Sequence, residues 1–295
     1  MVRRPETSSQ VRATMHSPFS ATIPARSQRD GAFHLKSLDL GSLGQLASPL
    51  LVVDDFRVRG RPFPPHPHAG FSAVTYVFDD SPGGLRSRDS LGNDGTVGQG
   101  GMVWTQAGSG IIHHEIPAEP DRELHGLQVF VNASAARKLA APRVLRLQSR
   151  QAPEWRSEAG DRVRVVVGSF EGLTSPLVPD EPFLFLDVEL RRVVALEIRN
   201  GHNALVYAVE GGRVHAQANG HLQPLKAGEA VAFRGGGTPM RLETDESAHL
   251  VILAGAQIRE PLVIQGPFMM NTQAQIDDAI RRYRSGDMGR LSAAD

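Results

Sequence analysis

Residues 71–110 read FSAVTYVFDD SPGGLRSRDS LGNDGTVGQG GMVWTQAGSG, and this stretch decides the fold. Ser72 to Phe78 is a run of β-branched and aromatic residues, followed at once by the turn chemistry of Asp79-Asp80-Ser81-Pro82-Gly83-Gly84. Further turn signals follow at Gly92-Asn93-Asp94-Gly95, Gly98-Gln99-Gly100-Gly101 and Gly108-Ser109-Gly110. Short strand-forming runs punctuated about every ten residues predict antiparallel strands in a sandwich or barrel. The pattern extends back to Phe56 and forward through Leu124–Val131, the second clear strand. A short helical patch is expected over Ala135–Ala141, stopped by Pro142.

Beyond a connector from Leu147 to Pro182, which contributes a strand over Arg162–Val167, the same punctuation resumes at Gly201, Gly211-Gly212, Asn219-Gly220, Gly228 and Gly235-Gly236-Gly237. The halves resemble each other. Ala73-Val-Thr-Tyr-Val-Phe78 lines up with Ala204-Leu-Val-Tyr-Ala-Val209, Asn93-Asp94-Gly95 with Asn219-Gly220, and Gly101-Met-Val-Trp104 with Gly228-Glu-Ala-Val231. Offsets of about 126 to 131 residues at three landmarks predict a duplicated barrel. The C-terminus changes period: Thr272 with Gln275 forms a capping box, Ile276, Ala279, Ile280 and Tyr283 share one face, and Gly286 sits at a C-cap. This predicts one amphipathic helix over about 273–285, laid against a barrel. The all-β reading therefore divides the chain into a disordered tail over 1–30, a first barrel over 31–145, and a second barrel with the C-terminal helix over 146–295.

A length of 295 residues suits two such domains, and 40% apolar with 22% charged residues is ordinary globular composition. No apolar run approaches the length of a membrane span. Thirty-two basic residues balance 32 acidic ones, so the broad positive field of a non-specific nucleic-acid binder is missing. The first thirty residues contain no apolar core for a signal peptide despite Arg3-Arg4, which predicts a cytoplasmic protein. There is no cysteine, so thiolate nucleophiles, zinc fingers and iron–sulfur clusters are excluded, and any metal must be held by His, Asp or Glu.

Two motifs supply such ligands: His66-Pro67-His68 and His113-His114-Glu115. Alternate residues of a strand share a face, so His66 projects with His68 and His113 with Glu115, while His114 is thrown to the opposite side. Three imidazoles and a carboxylate would then meet inside one barrel. That donor set suits Fe(II) and would accept Mn, Ni, Co, Cu or Zn, but is too rich in nitrogen for Mg or Ca. In the second half, Arg199 falls opposite His68 and Pro239 or Met240 opposite His113, so that barrel is expected to be structural and metal-free. His125 is expected to be filler near the site. Phe56, Phe71, Tyr76, Trp104 and Phe130 are candidates to line an aromatic-binding cavity.

Phe63-Pro-Pro-His-Pro-His-Ala-Gly-Phe71, Val74-Thr-Tyr76, Arg88-Asp-Ser-Leu-Gly-Asn93, Ala107-Gly-Ser-Gly-Ile-Ile-His-His-Glu-Ile-Pro117 and Gly266-Pro-Phe-Met-Met-Asn-Thr272 resemble the pirin family of the cupin superfamily, over about residues 30 to 290. The resemblance implies a bicupin of two jelly-roll barrels, with one iron per chain held by His66, His68, His113 and Glu115. It also implies an iron-dependent quercetin 2,3-dioxygenase-type activity, in which Glu115 is both ligand and general base for a small flavonol-like aromatic that reacts with dioxygen. The alternative it implies is an iron-dependent redox-sensing regulator that binds a transcription factor or metabolic enzyme; zero net charge favours a protein partner over direct nucleic-acid contact. A monomer away from membranes is expected. Two departures stand out: Ser72 replaces a common Glu, which leaves Glu115 as the fourth ligand, and Ser109 replaces an Arg, which predicts an altered pocket rim.

Overall fold

A computed structural model describes residues 17–61 and 63–292 of the chain. The first half is built from β1 (Ile23–Asp30), β2 (Phe33–Leu38), β3 (Leu50–Val58), β4 (His66–His68), β5 (Phe71–Val77), β6 (Leu85–Asp89), β7 (Asp94–Val97), β8 (Met102–Gln106), β9 (Ile111–Pro117), β10 (Leu124–Asn132) and β11 (Arg143–Leu147). The second contains β12 (Glu154–Arg156), β13 (Arg162–Val167), the hairpin of β14 (Ser169–Phe170) and β15 (Leu173–Thr174), β16 (Phe183–Leu190), β17 (Val193–Leu196), β18 (His202–Gly211), β19 (Val214–Ala218), β20 (His221–Leu225), β21 (Glu229–Arg234), β22 (Met240–Thr244) and β23 (Ala248–Ala256). A C-terminal segment adds β24 (Val263–Gln265), β25 (Phe268–Met270) and α1 (Gln273–Ser285).

The duplication read from the sequence is complete in the topology. One long sheet runs β11-β8-β5-β10-β3-β2-β1-β21-β18-β23-β16-β13-β12, and each half closes with a four-stranded sheet, β4-β9-β6-β7 in the first and β17-β22-β19-β20 in the second. The two orders match strand for strand, as the cupin-type fold requires. The strands cross between halves at both ends of the chain. β1 pairs with β2 on one side and with β21 of the second barrel on the other. Conversely, β25 meets Ala69 beside β4, and α1 packs with Ile112 of β9.

Three sequence expectations change here. Of the first thirty residues, 1–16 lie outside the described residues, but Ile23–Asp30 is a strand rather than a tail. Its alternation is hidden because only Ile23 is buried and most of the strand's other side chains are exposed. Ala135–Ala141 forms consecutive turns instead of a helix, with Arg137 and Lys138 amides both donating to the Ser134 carbonyl. The C-terminal helix has the expected bounds, capping box and left-handed Gly286, yet it covers the first barrel, not the second.

Between the barrels lies an apolar core that includes Tyr76, Trp104, Phe185 and Tyr207. Two buried acid–histidine–tyrosine clusters cross it reciprocally, each half supplying the tyrosine to the other's aspartate. Tyr207 of the second half donates to Oδ2 of Asp55 at 2.9 Å, while Nε2 of His125 lies 3.0 Å from Oδ1 of the same carboxylate. Reciprocally, Tyr76 of the first half donates to Asp187, whose Oδ1 is 2.6 Å from Nε2 of His249. His125 is thus an interface residue, not filler near a site. Burial pulls the His249 imidazole down, but the charges of Asp187, Glu189 and Glu210 together raise its pKa above the ordinary 6.5. A raised folded-state value gives stability that is full below pH 6.5 and lost as pH climbs through the folded pKa. Thermal melts are therefore expected to show stability falling as pH rises past 6.5, and His249→Gln to flatten that limb. An unchanged slope in the variant would assign the effect elsewhere.

Candidate metal centre

The Pro-rich approach to β4 and the antiparallel register of β4 with β9 fix the site. His66 stands opposite His113, and His68 opposite Ile111. Strand alternation then turns His66, His68, His113 and Glu115 inward, as expected, and sends His114 out, where its Nε2 lies 3.1 Å from the Phe63 carbonyl. One donor nitrogen from each of His66, His68 and His113 lies within 4.8 Å of the other two. Glu115 lines the same cavity and places Oε1 3.8 Å from Nδ1 of His113, but it stands beside this group rather than within it. Its Oε2 is held by the Thr75 hydroxyl at 2.5 Å.

The chemistry of these side chains fits a metal ion. Nδ1 of His66 lies 2.9 Å from the Pro64 carbonyl, which directs its Nε2 inward to within 3.1 Å of Nε2 of His113. Two nitrogens bound cis to one ion at about 2.1 Å each stand about 3.0 Å apart, so this spacing suits a shared ion. Burial lowers His68 to about 3 and drives His113 well below the usual imidazole range, so both are neutral, the form that ligates. Burial also pushes the Glu115 carboxyl up to about 7 against the opposing hydrogen bond from Thr75. Oε1 of Glu115 and Nδ1 of His68 are buried with no hydrogen-bond partner. A cation bound at Oε1 would satisfy the carboxylate and hold it ionised.

The imidazoles open into a cavity of about 340 Å³. Its wall is mostly apolar, with Phe33, Leu35, Phe56, Val58, Leu85, Leu124 and Phe130 among the lining residues. Of the aromatic candidates, Phe56 and Phe130 line it, and Phe71 packs on both His68 and Phe130 with ring centroids 5.0 and 4.7 Å away. Tyr76 and Trp104 belong to the face between the barrels instead. Ser109 is absent from the wall, and its carbonyl accepts from Arg282 of α1, so the expected change at the pocket rim does not arise there. In the second barrel the strands equivalent to β4 and β9 carry Val194, Leu196, Met240 and Leu242, all buried in an apolar core.

Asp54, Thr75 and Gln128 also line the cavity, and the sequence reading missed them. Their signal was alternation. In Asp54-Asp55 one carboxylate faces the cavity and the other the partner barrel, and in β10 the residues Leu124, Gln128 and Phe130 share the parity of the wall.

Two cupin-type barrels of one chain, with three imidazoles converging in the first alone among the described residues, define the class: a bicupin with a single candidate metal centre. A family model described as Pirin matches residues 26–131, and one described as the Pirin C-terminal cupin domain matches residues 185–289. Pirin-like protein 2 of Arabidopsis thaliana is 35% identical over 254 residues, covering 83% of this chain and 77% of its own. Pirin of Homo sapiens is 32% identical over 277 residues, covering 92% of this chain and 90% of its own. The chain belongs to the pirin family. Among solved structures it is similar to a quercetin 2,3-dioxygenase from Acinetobacter baumannii, with a TM-score of 0.79 and 25% identity over 92% of this chain and 98% of that one. A bacterial pirin from Escherichia coli, solved in complex with nickel(II), shares the fold at a TM-score of 0.61 and 16% identity, over 81% of this chain and all of that one.

Proposed function

We propose that the protein is a mononuclear iron oxygenase of quercetin 2,3-dioxygenase type, with His66, His68, His113 and Glu115 as ligands. In this reading it works as a cytoplasmic monomer on a flavonol-like aromatic. The observation that carries it is the juxtaposition of three converging imidazoles with an apolar cavity large enough for a polycyclic aromatic. The similarity to the Acinetobacter quercetin 2,3-dioxygenase supports the same class of substrate. Bound Fe(II) would supply Lewis-acid polarisation of a substrate hydroxyl and redox chemistry with dioxygen.

The chain's own residues do the rest. Phe56, Leu124 and Phe130 hold an aromatic ring system and exclude water from its reacting edge. Glu115 takes the proton of the substrate hydroxyl at Oε1, while Thr75 holds Oε2 and fixes the plane of the carboxyl. An ionised carboxylate whose second oxygen is held by Thr75 is a fitting acceptor for that proton.

The test is anaerobic reconstitution with Fe(II) followed by a flavonol and oxygen. The flavonol absorbance is expected to bleach with release of one carbon monoxide per molecule, and Glu115→Gln to lose turnover by about 100-fold or more. A Glu115→Gln protein with full activity would remove its role as base. Absence of any bleaching, with iron-dependent capture of a protein partner, would favour the regulator.

A further inference from the structure

Four strands of the first barrel contribute one polar row to the cavity floor. In register, Ser37 of β2 stands beside Asp54 of β3, Asp54 beside Gln128 of β10, and Gln128 beside Thr75 of β5, which holds Glu115. Asp54, Gln128 and Thr75 all line the cavity. Gln128 is already engaged within the row, with Nε2 donating to the Val74 carbonyl at 3.0 Å and Oε1 lying 3.1 Å from the Thr75 hydroxyl, whose single proton goes to Glu115. Asp54 is not so committed. The Ser37 hydroxyl donates to Oδ1, and Lys36, next to Ser37 in sequence, points to the opposite face and pairs with Asp55 at 3.2 Å. Asp54 and Glu115 are the two carboxylates among the lining residues, which include no Lys or Arg. Strand spacing puts Asp54 about 10 Å across the sheet from Thr75, since each step between neighbours is about 4.8 Å. That span exceeds a single ring and is within reach of a polycyclic one.

We propose that Asp54 is a specificity subsite that accepts a hydrogen bond from a phenolic hydroxyl at the end of the substrate remote from the metal centre. The inference rests on the reading of this cavity as a flavonol site and adds what distinguishes one flavonol from another. A half-buried carboxylate on an apolar wall binds a hydroxyl donor well and rejects a carboxylate or sulfate at the same position by like charge. Asp54 acts through binding and takes no part in bond-making, so its effect belongs in Kd and KM and not in kcat. Asp54→Ala removes one side-chain hydrogen bond, that from the Ser37 hydroxyl, and is expected to leave the fold intact.

The experiment uses the full-length, metal-loaded protein, with binding followed anaerobically by flavonol absorbance and fluorescence. Quercetin, with hydroxyls on both ring systems, is compared with 3-hydroxyflavone, whose one hydroxyl is directed at the metal. Wild type is expected to favour quercetin, and Asp54→Ala to weaken quercetin by tenfold or more while 3-hydroxyflavone stays within twofold. Asp54→Asn, which keeps an acceptor without the charge, is expected to fall between them. Equal losses for both flavonols, or none for either, would overturn the proposal. Asp54-dependent binding of quercetin without turnover would sustain the subsite and refute the dioxygenase reading. Turnover of both flavonols with no preference would sustain the dioxygenase and refute the subsite. If neither binds, both fall.

Discussion

His113→Ala is expected to abolish metal binding and reduce flavonol turnover by more than about 100-fold, because loss of a ligand exceeds the 10- to 100-fold effects of the groups that merely support ligands. His113 packs against both other imidazoles. Its ring centroid is 4.7 Å from that of His66 and 4.6 Å from that of His68, and 3% of its surface is exposed. His114→Ala is the matched control. It removes an equally buried imidazole one residue along the same strand, but on the face turned to the Phe63 carbonyl, and is expected to keep the metal. Metal-to-protein ratios after reconstitution and dialysis, with turnover measured beside them, distinguish the two. A His113→Ala protein that still carries one tightly bound ion would break the assignment, as would loss of metal from His114→Ala alone.

The second large effect concerns Lys138, which is 0% exposed. Burial lowers its pKa to about 8, so at neutral pH it remains an ammonium with three donors. All three are used: Nζ donates to the Gly70 carbonyl at 2.8 Å, the Met269 carbonyl at 2.9 Å and Oδ1 of Asn132 at 2.6 Å. These contacts tie the turn after β4 to the C-terminal segment. Gly70, at φ +85°, is required there because a Cβ would collide with the Met269 carbonyl. Lys138→Met keeps the apolar stem but strands three buried acceptors, at a cost of about 3–5 kcal/mol. Chemical denaturation is expected to show that loss, and limited proteolysis to cut the C-terminal segment more readily. With the strap loosened, β4 loses its support and metal affinity is expected to fall by about 10- to 100-fold. A Lys138→Met protein within 1 kcal/mol of wild type would mean that the carbonyls find other donors.

These two residues mark what the sequence discloses and what it hides. That His66, His68, His113 and Glu115 face one cavity was legible because a period of two decides which residues share a face, and the three imidazoles needed only neighbouring strands to converge. The barrel was legible from its turns, and the helix from its capping box. Lys138 was not, since a lone lysine in a turn reads as solvated, and its three acceptors come from positions 6, 68 and 131 residues away. The exchange of chain ends was hidden for the same reason. Nothing local in Ile23–Asp30 or in Phe268–Met270 states which barrel each will join. Asp54 was hidden by its twin: two adjacent aspartates read as surface charge until the strand sends one to each face.

The central claim is that one metal ion sits in the first barrel on three histidines and Glu115. The most direct measurement is elemental analysis of the purified protein combined with anomalous diffraction at the absorption edge of the metal found. The account predicts one iron per chain, with its anomalous peak between the rings of His66, His68 and His113 and within bonding distance of Glu115. A peak elsewhere, a second peak in the second barrel, or none after Fe(II) reconstitution would contradict it.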